Sequence, residues 1–298
     1  MFTCSRISSV EYYLAENDAD ERDRVAYYVD NGAEEDKGVW WSNATLERGK
    51  PLPMVDNGTE IKPRDFRALA AGRYPLSGMQ LVQPNAKRSV GYDLQFAAPK
   101  SVSVVWACAS DEDKKKIEKA QRDAVFAALN YAQENGFLTT RRGKGGAIHE
   151  RPAEIQAATF QHTTSRAGDP QLHTHAVVTN VCRREDGTYG TIDNEKLLKH
   201  QQEMGAVYRL KLAEALKNDL NLSVTKDDRN FKIDGVSDKI CDNFSKRNND
   251  ITAFADKLGI DKSTSRKSAE LIGLETRNKK SEIPNRDELQ DRWSVELK

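Results

Sequence analysis

The chain has 298 residues, enough for one large domain or two modest ones with a core of useful size. Its 46 lysines and arginines balance 46 acids, 31% of its residues are charged and its mean hydropathy is −0.74, which argues against a membrane-embedded protein and against a simple polybasic coat for nucleic acid. Cys4, Cys108, Cys182 and Cys241 lie far apart and read as reduced thiols, not as a zinc ribbon or a disulfide framework.

In chain order, Met1 to Ile7 reads as a strand without the apolar stretch of a signal peptide. Ser8-Ser-Val-Glu11 is a capping box, which predicts a helix starting near Ser9. On that helix Val10, Tyr13 and Leu14 share a face and pack inward, so Tyr12 is freer to reach a cleft. Asn17 to Gly58 is acidic and irregular, with Tyr27-Tyr28 and Trp40-Trp41 embedded in it. Lys62 to Ala71 has helical spacing, and Ser89 to Ala98 alternates as a strand closed by Pro99. Asp111 to Asn135 is an amphipathic helix with Ile117, Ala120, Ala124, Ala128 and Tyr131 along one side. Arg142-Gly-Lys-Gly-Gly146 is a glycine-rich turn that lacks the spacing of a phosphate-binding loop.

Ala153 to Thr164 and Leu172 to Arg183 read as strands, Tyr189 to Ile192 as a short one, and Asn194 to Leu220 as a long helix. From about Val224 the chain is polar and mostly helical by pattern, with exposed helix starts at Asn243-Phe-Ser-Lys-Arg-Asn and after Ser263. The fold class that follows is α+β, a sheet core with an α-helical C-terminal appendage. Basic groups gather at Lys87-Arg88, Arg141-Arg142 and between Arg266 and Lys280. A groove-shaped positive field can exist without a positive total, although a solvated surface explains the same residues.

Three of the five histidines, His162, His173 and His175, fall within fourteen positions. His173 and His175 are two apart on a β-branched run and so face the same way, and a third imidazole can approach from a neighbouring strand. Such a trio reads as a metal site with open coordination positions, suited to polarising a phosphoryl or carbonyl oxygen or to activating water. His149 and His200 lie outside the cluster and read as structural. A phenol such as that of Tyr12 can act as a covalent nucleophile when a base or metal helps it. Asp93, an acid in a β-like run, could orient a metal-bound imidazole or take a tyrosine's proton.

Phe160-Gln-His-Thr-Thr-Ser-Arg-Ala-Gly-Asp-Pro-Gln-Leu-His-Thr-His-Ala-Val-Val-Thr-Asn, Gly91-Tyr-Asp-Leu-Gln-Phe-Ala-Ala-Pro-Lys-Ser-Val-Ser and Ser9-Val-Glu-Tyr-Tyr together resemble the motifs of the MobF class of conjugative relaxases, within the HUH endonucleases. The resemblance runs from near Met1 to about Lys280. It implies a palm-like central antiparallel sheet flanked by helices, with a palm over residues 1–225 and C-terminal helical fingers or DNA clamp over 226–298. It implies site- and strand-specific nicking and strand transfer at a plasmid origin of transfer, through a 5′-phosphotyrosine intermediate. Tyr12 matches the usual nucleophile, Asp93 the assisting acid, and His162, His173 and His175 the ligands of one divalent ion. That ion is Mn²⁺ or Mg²⁺, with Zn²⁺ or Ni²⁺ as alternatives.

Tyr13, Tyr27 and Tyr28 are candidates for a second strand transfer, although the acidic stretch Glu16 to Asp23 separates the pairs more than in better-known members. Lys100, Arg166, Arg266, Lys267 and Arg277 are candidate DNA contacts. The implied partners are single-stranded and hairpin DNA at the origin, accessory relaxosome proteins and a coupling protein. The implied location is the cytoplasm of a bacterial donor, with transfer to the recipient alongside the DNA, and a helicase usually follows in this class. The competing readings are a rolling-circle replication or transposition nuclease, a non-catalytic origin-binding repressor, and a metal hydrolase that uses water.

Overall fold

The computed structural model describes residues 2–10, 38–44, 51–85, 88–165, 167–259 and 286–296. The helix expected from the capping box lies outside them. In chain order the elements are β1 (Phe2–Ile7), β2 (Val39–Ser42), α1 (Pro63–Ala70), β3 (Gly91–Ala97), α2 (Lys100–Cys108), α3 (Asp111–Glu134), β4 (Thr139–Arg142), β5 (Ile148–Glu150), β6 (Gln156–Thr164), β7 (Pro170–Thr179), β8 (Cys182–Arg183), β9 (Tyr189–Gly190), β10 (Ile192–Asp193), α4 (Glu195–Lys199), α5 (Gln201–Leu220), β11 (Val224–Asp227), β12 (Asn230–Ile233), α6 (Asp238–Asn243), α7 (Lys246–Lys257) and α8 (Arg286–Glu296). β1, β3, β7, β6 and β2 form, in that order, one antiparallel sheet, so the α+β class with a central antiparallel sheet and flanking helices is what the chain adopts.

The register assigns each residue to a face. Asp93 pairs with Val177, Gln95 with His175, Ala97 with His173, and His162 with His173. Alternation then puts Asp93, Gln95, His162, His173 and His175 on one face and Leu94, Phe96, Thr174 and Ala176 on the other. The second face carries the main core, in which Ile117, Ala124 and Leu129 of α3 and Tyr208 and Leu212 of α5 pack with Leu94, Phe96 and Ala176. Helix α3 is well started, since the Ser110 hydroxyl accepts the Asp113 N–H at 3.2 Å and Asp111, Glu112 and Asp113 sit in its first turn. Among the described residues, a smaller core covers one end of the histidine face. There α1 and nearby loops bring Met54, Val55, Phe66, Leu69 and Val82 onto Trp40, Ala158 and Val177. Phe66 packs edge-on to Trp40 at 5.8 Å and against Phe160 at 5.7 Å.

One element has no counterpart in the sequence reading, and four local expectations need correction. The unassigned valine-rich run after Pro99 is helix α2, because burial of Val102, Val104, Trp106 and Ala107 overrides the weak helix preference of β-branched residues. Its Ser103 hydroxyl accepts the Leu172 N–H at 2.9 Å and its Ser101 hydroxyl the Ile233 N–H at 3.1 Å, so the helix also bonds to two neighbouring strands. The expected helix 194–220 breaks at His200, whose ring stacks on Phe137 at 4.1 Å. The expected strand 172–183 ends at Thr179, and Cys182–Arg183 pairs separately with β9. Val224 to Ile233 is a hairpin turning at Asp228, which takes a left-handed φ of 48° without a glycine to signal it. Phe244, expected at an exposed helix start, is buried. With Phe231, Ile233, Leu289 and Trp293 it belongs to the main core, and strand β12 of the hairpin packs against α2 and α5.

Candidate active site

His173 and His175 stand two apart on β7, and His162 faces His173 directly across the β6–β7 pair. The ring centroids are 5.4 Å (His162–His173), 5.7 Å (His162–His175) and 5.3 Å (His173–His175) apart, and all three side chains are buried. Asp93 reaches diagonally across the β3–β7 pair, and its Oδ2 lies 2.8 Å from His175 Nδ1. His173 Nδ1 lies 2.8 Å from the Gln171 carbonyl oxygen. A carboxylate and a carbonyl only accept, so each Nδ1 carries the hydrogen and donates it. That leaves the Nε2 lone pairs of His173 and His175 as the donors to an ion. Burial, then the neighbouring His175 and His162, hold His173 well below the usual imidazole pKa, which keeps it in the neutral, metal-binding form.

These groups fit a divalent ion in chemistry and nearly in spacing. An ion about 2.0–2.1 Å from each ring nitrogen, with tetrahedral angles, would set the centroids roughly 5 Å apart. The observed 5.3–5.7 Å is slightly wider. Among the described residues no three donors are drawn together tightly enough to enclose an ion as they stand, so the imidazoles must close by a few tenths of an ångström.

Behind the histidines lies a polar support that the sequence reading missed. Gln121 of α3 is fully buried, and its Nε2 donates to the Phe96 carbonyl at 3.1 Å and to Thr174 Oγ1 at 3.2 Å. Tyr208 of α5 donates to Gln121 Oε1 at 2.5 Å. Thr174 is the residue between His173 and His175, so this contact braces β3 and β7 at the level of the trio. The signal was a glutamine beside Ile117, Ala124 and Val125 on the buried stripe of α3.

Tyr12, Tyr13, Tyr27, Tyr28, Arg166, Arg266, Lys267 and Arg277 lie outside the described residues. Val10, two residues before Tyr12, is buried in the smaller core on the histidine side of the sheet. Lys100 is brought near: its Nζ donates to the Pro170 carbonyl at 3.0 Å, and burial pushes its ammonium pKa down while Asp169 partly offsets that. It lines a groove of about 460 Å³ between Gln95, Ala97 and Gln171 on the histidine face and Arg247, Asn248 and Ile251 around α7. His149 and His200 are not brought to the trio. His149 lies 3.4 Å from Asp193, and His200 lies against Phe137.

The family model of the TrwC relaxase matches residues 7–298. The chain belongs to the TrwC relaxase family. Among solved structures of that family, a metal-bound conjugative relaxase TrwC in complex with OriT DNA is 28% identical, with a TM-score of 0.80 over 99% of this chain and 97% of that one. A copper-bound TrwC–OriT complex is 26% identical, with a TM-score of 0.79 over 100% and 97% of the two chains. The multifunctional conjugation protein TraI of Escherichia coli strain K12 is 35% identical over 166 residues, which are 51% of this chain and 9% of that protein. The chain therefore matches less than a tenth of the length of that curated relative. Among the described residues no helix is long and apolar enough to cross a membrane.

Proposed function

We propose that this chain cuts and rejoins one DNA strand at a plasmid origin of transfer, with a tyrosine that becomes joined to the 5′ phosphate. The observation that carries the reading is the convergence of three buried imidazoles beside Asp93, in a family whose solved members include complexes with OriT DNA. His162, His173 and His175 would hold one divalent ion, Mn²⁺ or Mg²⁺ by the demands of phosphoryl transfer, with Zn²⁺ and Ni²⁺ as the alternatives that imidazole affinity favours. When bound, such an ion supplies positive charge to the non-bridging oxygens of the scissile phosphate, which lowers their repulsion of an incoming phenolate.

The chain's own groups do the rest. Asp93 fixes the tautomer and orientation of His175 through its Nδ1–H. Tyr12 is the nucleophile, and Val10 on the histidine face supports its approach to that site. The phenol oxygen bonds to phosphorus as the bond to the 3′ oxygen breaks. The phenolic proton passes to Asp93, and the departing 3′ oxygen takes a proton from water to leave a free 3′ hydroxyl. Tyr13, Tyr27 and Tyr28 are the candidates for a second transfer.

Residues 1–225 act as the palm and 226–298 as fingers over the DNA, with Lys100, Arg166, Arg266, Lys267 and Arg277 against its phosphates. Hairpin DNA, relaxosome proteins and a coupling protein are the partners in a donor cell's cytoplasm.

The test uses a single-stranded oligonucleotide taken from an inverted repeat and adjoining nick site beside the gene, incubated with Mn²⁺. An SDS-resistant protein–DNA adduct is expected, and Tyr12→Phe should abolish it. An adduct of full strength in that variant moves the nucleophile to Tyr13, Tyr27 or Tyr28. Cut ends without any adduct replace the tyrosine by water and overturn the reading.

A further inference from the structure

The segment between His162 and His173 has a role that none of the three ligands accounts for. It is the tip of the β6–β7 hairpin, closed by the Ser165 N–H on the Asp169 carbonyl at 2.8 Å and by the Asp169 N–H on the Ser165 hydroxyl at 3.1 Å. Two C-terminal helices dock on this tip. Trp293 Nε1 and an Arg292 guanidinium nitrogen of α8 donate to the Gly168 carbonyl at 2.9 and 2.6 Å. Gly168 has a left-handed φ of 70°, and a Cβ there would stand 2.8 Å from Arg292 and 3.1 Å from Leu289, so the approach of α8 requires glycine.

Asp169 is only 1% exposed, and its Oδ2 accepts the Lys246 N–H at 2.9 Å in the first turn of α7. Ser245, at the N-cap of α7, makes no side-chain cap bond, so the aspartate fills that role from another element. Lys246 Nζ lies 3.5 Å from Asp169 Oδ1 and 2.9 Å from Glu296 of α8, which joins the two helices at the same point. Residues of α7 wall the groove that opens onto the histidine face.

We propose that Asp169 is a positioning residue that ties the docking of α7 over the groove to the arrangement of the three histidines. The β6–β7 register shifts between His162 and Thr164, so the strand next to His162 is irregular where the tip begins. A pull on Asp169 therefore acts on His162 from one side and on His173, four residues on, from the other. Coupling of this kind is reciprocal: a metal on the histidines steadies α7, and a docked α7 tightens the metal by the same factor. The inference rests on the metal reading above.

Hydrogen exchange and Ni²⁺ titration of the metal-stripped protein test it without any DNA chemistry. In the native protein, Ni²⁺ should slow amide exchange across Lys246–Lys257 by about fivefold or more. In Asp169→Ala that helix should exchange faster, should no longer respond to Ni²⁺, and Ni²⁺ affinity should fall by a matching factor. Lys246→Met, which removes the ammonium between Asp169 and Glu296 but keeps the backbone N–H bond to Asp169, should reproduce the effect in weaker form even if the aspartate variant does not fold. A helix that ignores Ni²⁺ in the native protein while the ion binds overturns the proposal and leaves the metal site standing. So does Ni²⁺ affinity unchanged in a folded Asp169→Ala. Absence of any Ni²⁺ binding overturns the metal reading and this proposal with it.

Discussion

The two faces of the central sheet are made from the same strands, yet one is a core and the other a site. On β7, Leu172, Thr174, Ala176 and Val178 point to the helix-covered face, where α3 and α5 seal them. His173 and His175, the residues in between, point to the face whose own smaller core contains Val177, with Phe160 packed against it. Strand alternation lets one stretch of chain supply rigidity behind and chemistry in front. The rear face also contains a polar exception, the Tyr208–Gln121–Thr174 chain, placed at the level of the imidazoles. Among the described residues, what separates the faces is what they bury: apolar side chains sealed by α3 and α5 behind, and three imidazoles beside Asp93 in front.

Three substitutions can break or sharpen that contrast. Leu94→Ala, at a fully buried position on the rear face, should cost about 2–5 kcal/mol in a denaturant melt while leaving cleavage per folded molecule unchanged. Asp93→Asn, one residue away but on the front face, should leave the melt nearly unaltered and weaken metal affinity about 10–100-fold. A loss of stability as large as that of Leu94→Ala would make Asp93 a core residue and erase the distinction.

The smallest effect concerns the patch that covers the far end of the front face. Glu154 is fully buried there, accepting the Met54 N–H and pairing with Arg183 at 2.9 Å. Burial nevertheless pushes its carboxyl pKa above the ordinary 4.5. The folded protein then holds this proton more tightly than the unfolded chain does. The group's contribution to stability is full below the ordinary value and is lost as the pH rises through the raised one. Melting temperatures of the native protein and Glu154→Gln, compared from about pH 4 to pH 8, should show the native protein losing ground on the acid side and then running parallel. Native protein gaining ground over that range would mean that Arg183 dominates and holds the carboxyl below its ordinary value.

Much of this arrangement is legible in the sequence because it is local. The i, i+2 spacing of His173 and His175 on a β-branched run fixes their shared face, and the alternation of Gly91 to Ala97 places Asp93 on a strand. The pairing of that strand with β7, and hence the Asp93–His175 contact, is a long-range fact that came from motif resemblance. Helix α2 was hidden because its β-branched valines give no helical signal, and burial of Val102, Val104, Trp106 and Ala107 explains their helicity. The β11–β12 hairpin was hidden by a turn at Asp228 and Arg229 that carries no Asn-Gly or Asp-Gly signal. Gly168 and Asp169 stood in plain view inside the histidine motif, but their partners lie about 80 to 125 residues further along the chain.

The claim that the front face is a metal centre is tested most directly by counting ions. Calorimetric titration of the chelator-stripped native protein with Mn²⁺ should give one site per chain. His173→Ala should give none, and a folded Leu94→Ala should keep the site. A His173→Ala variant that binds one ion with native affinity would contradict the account, because the face that carries the histidines would then not be where the metal is held.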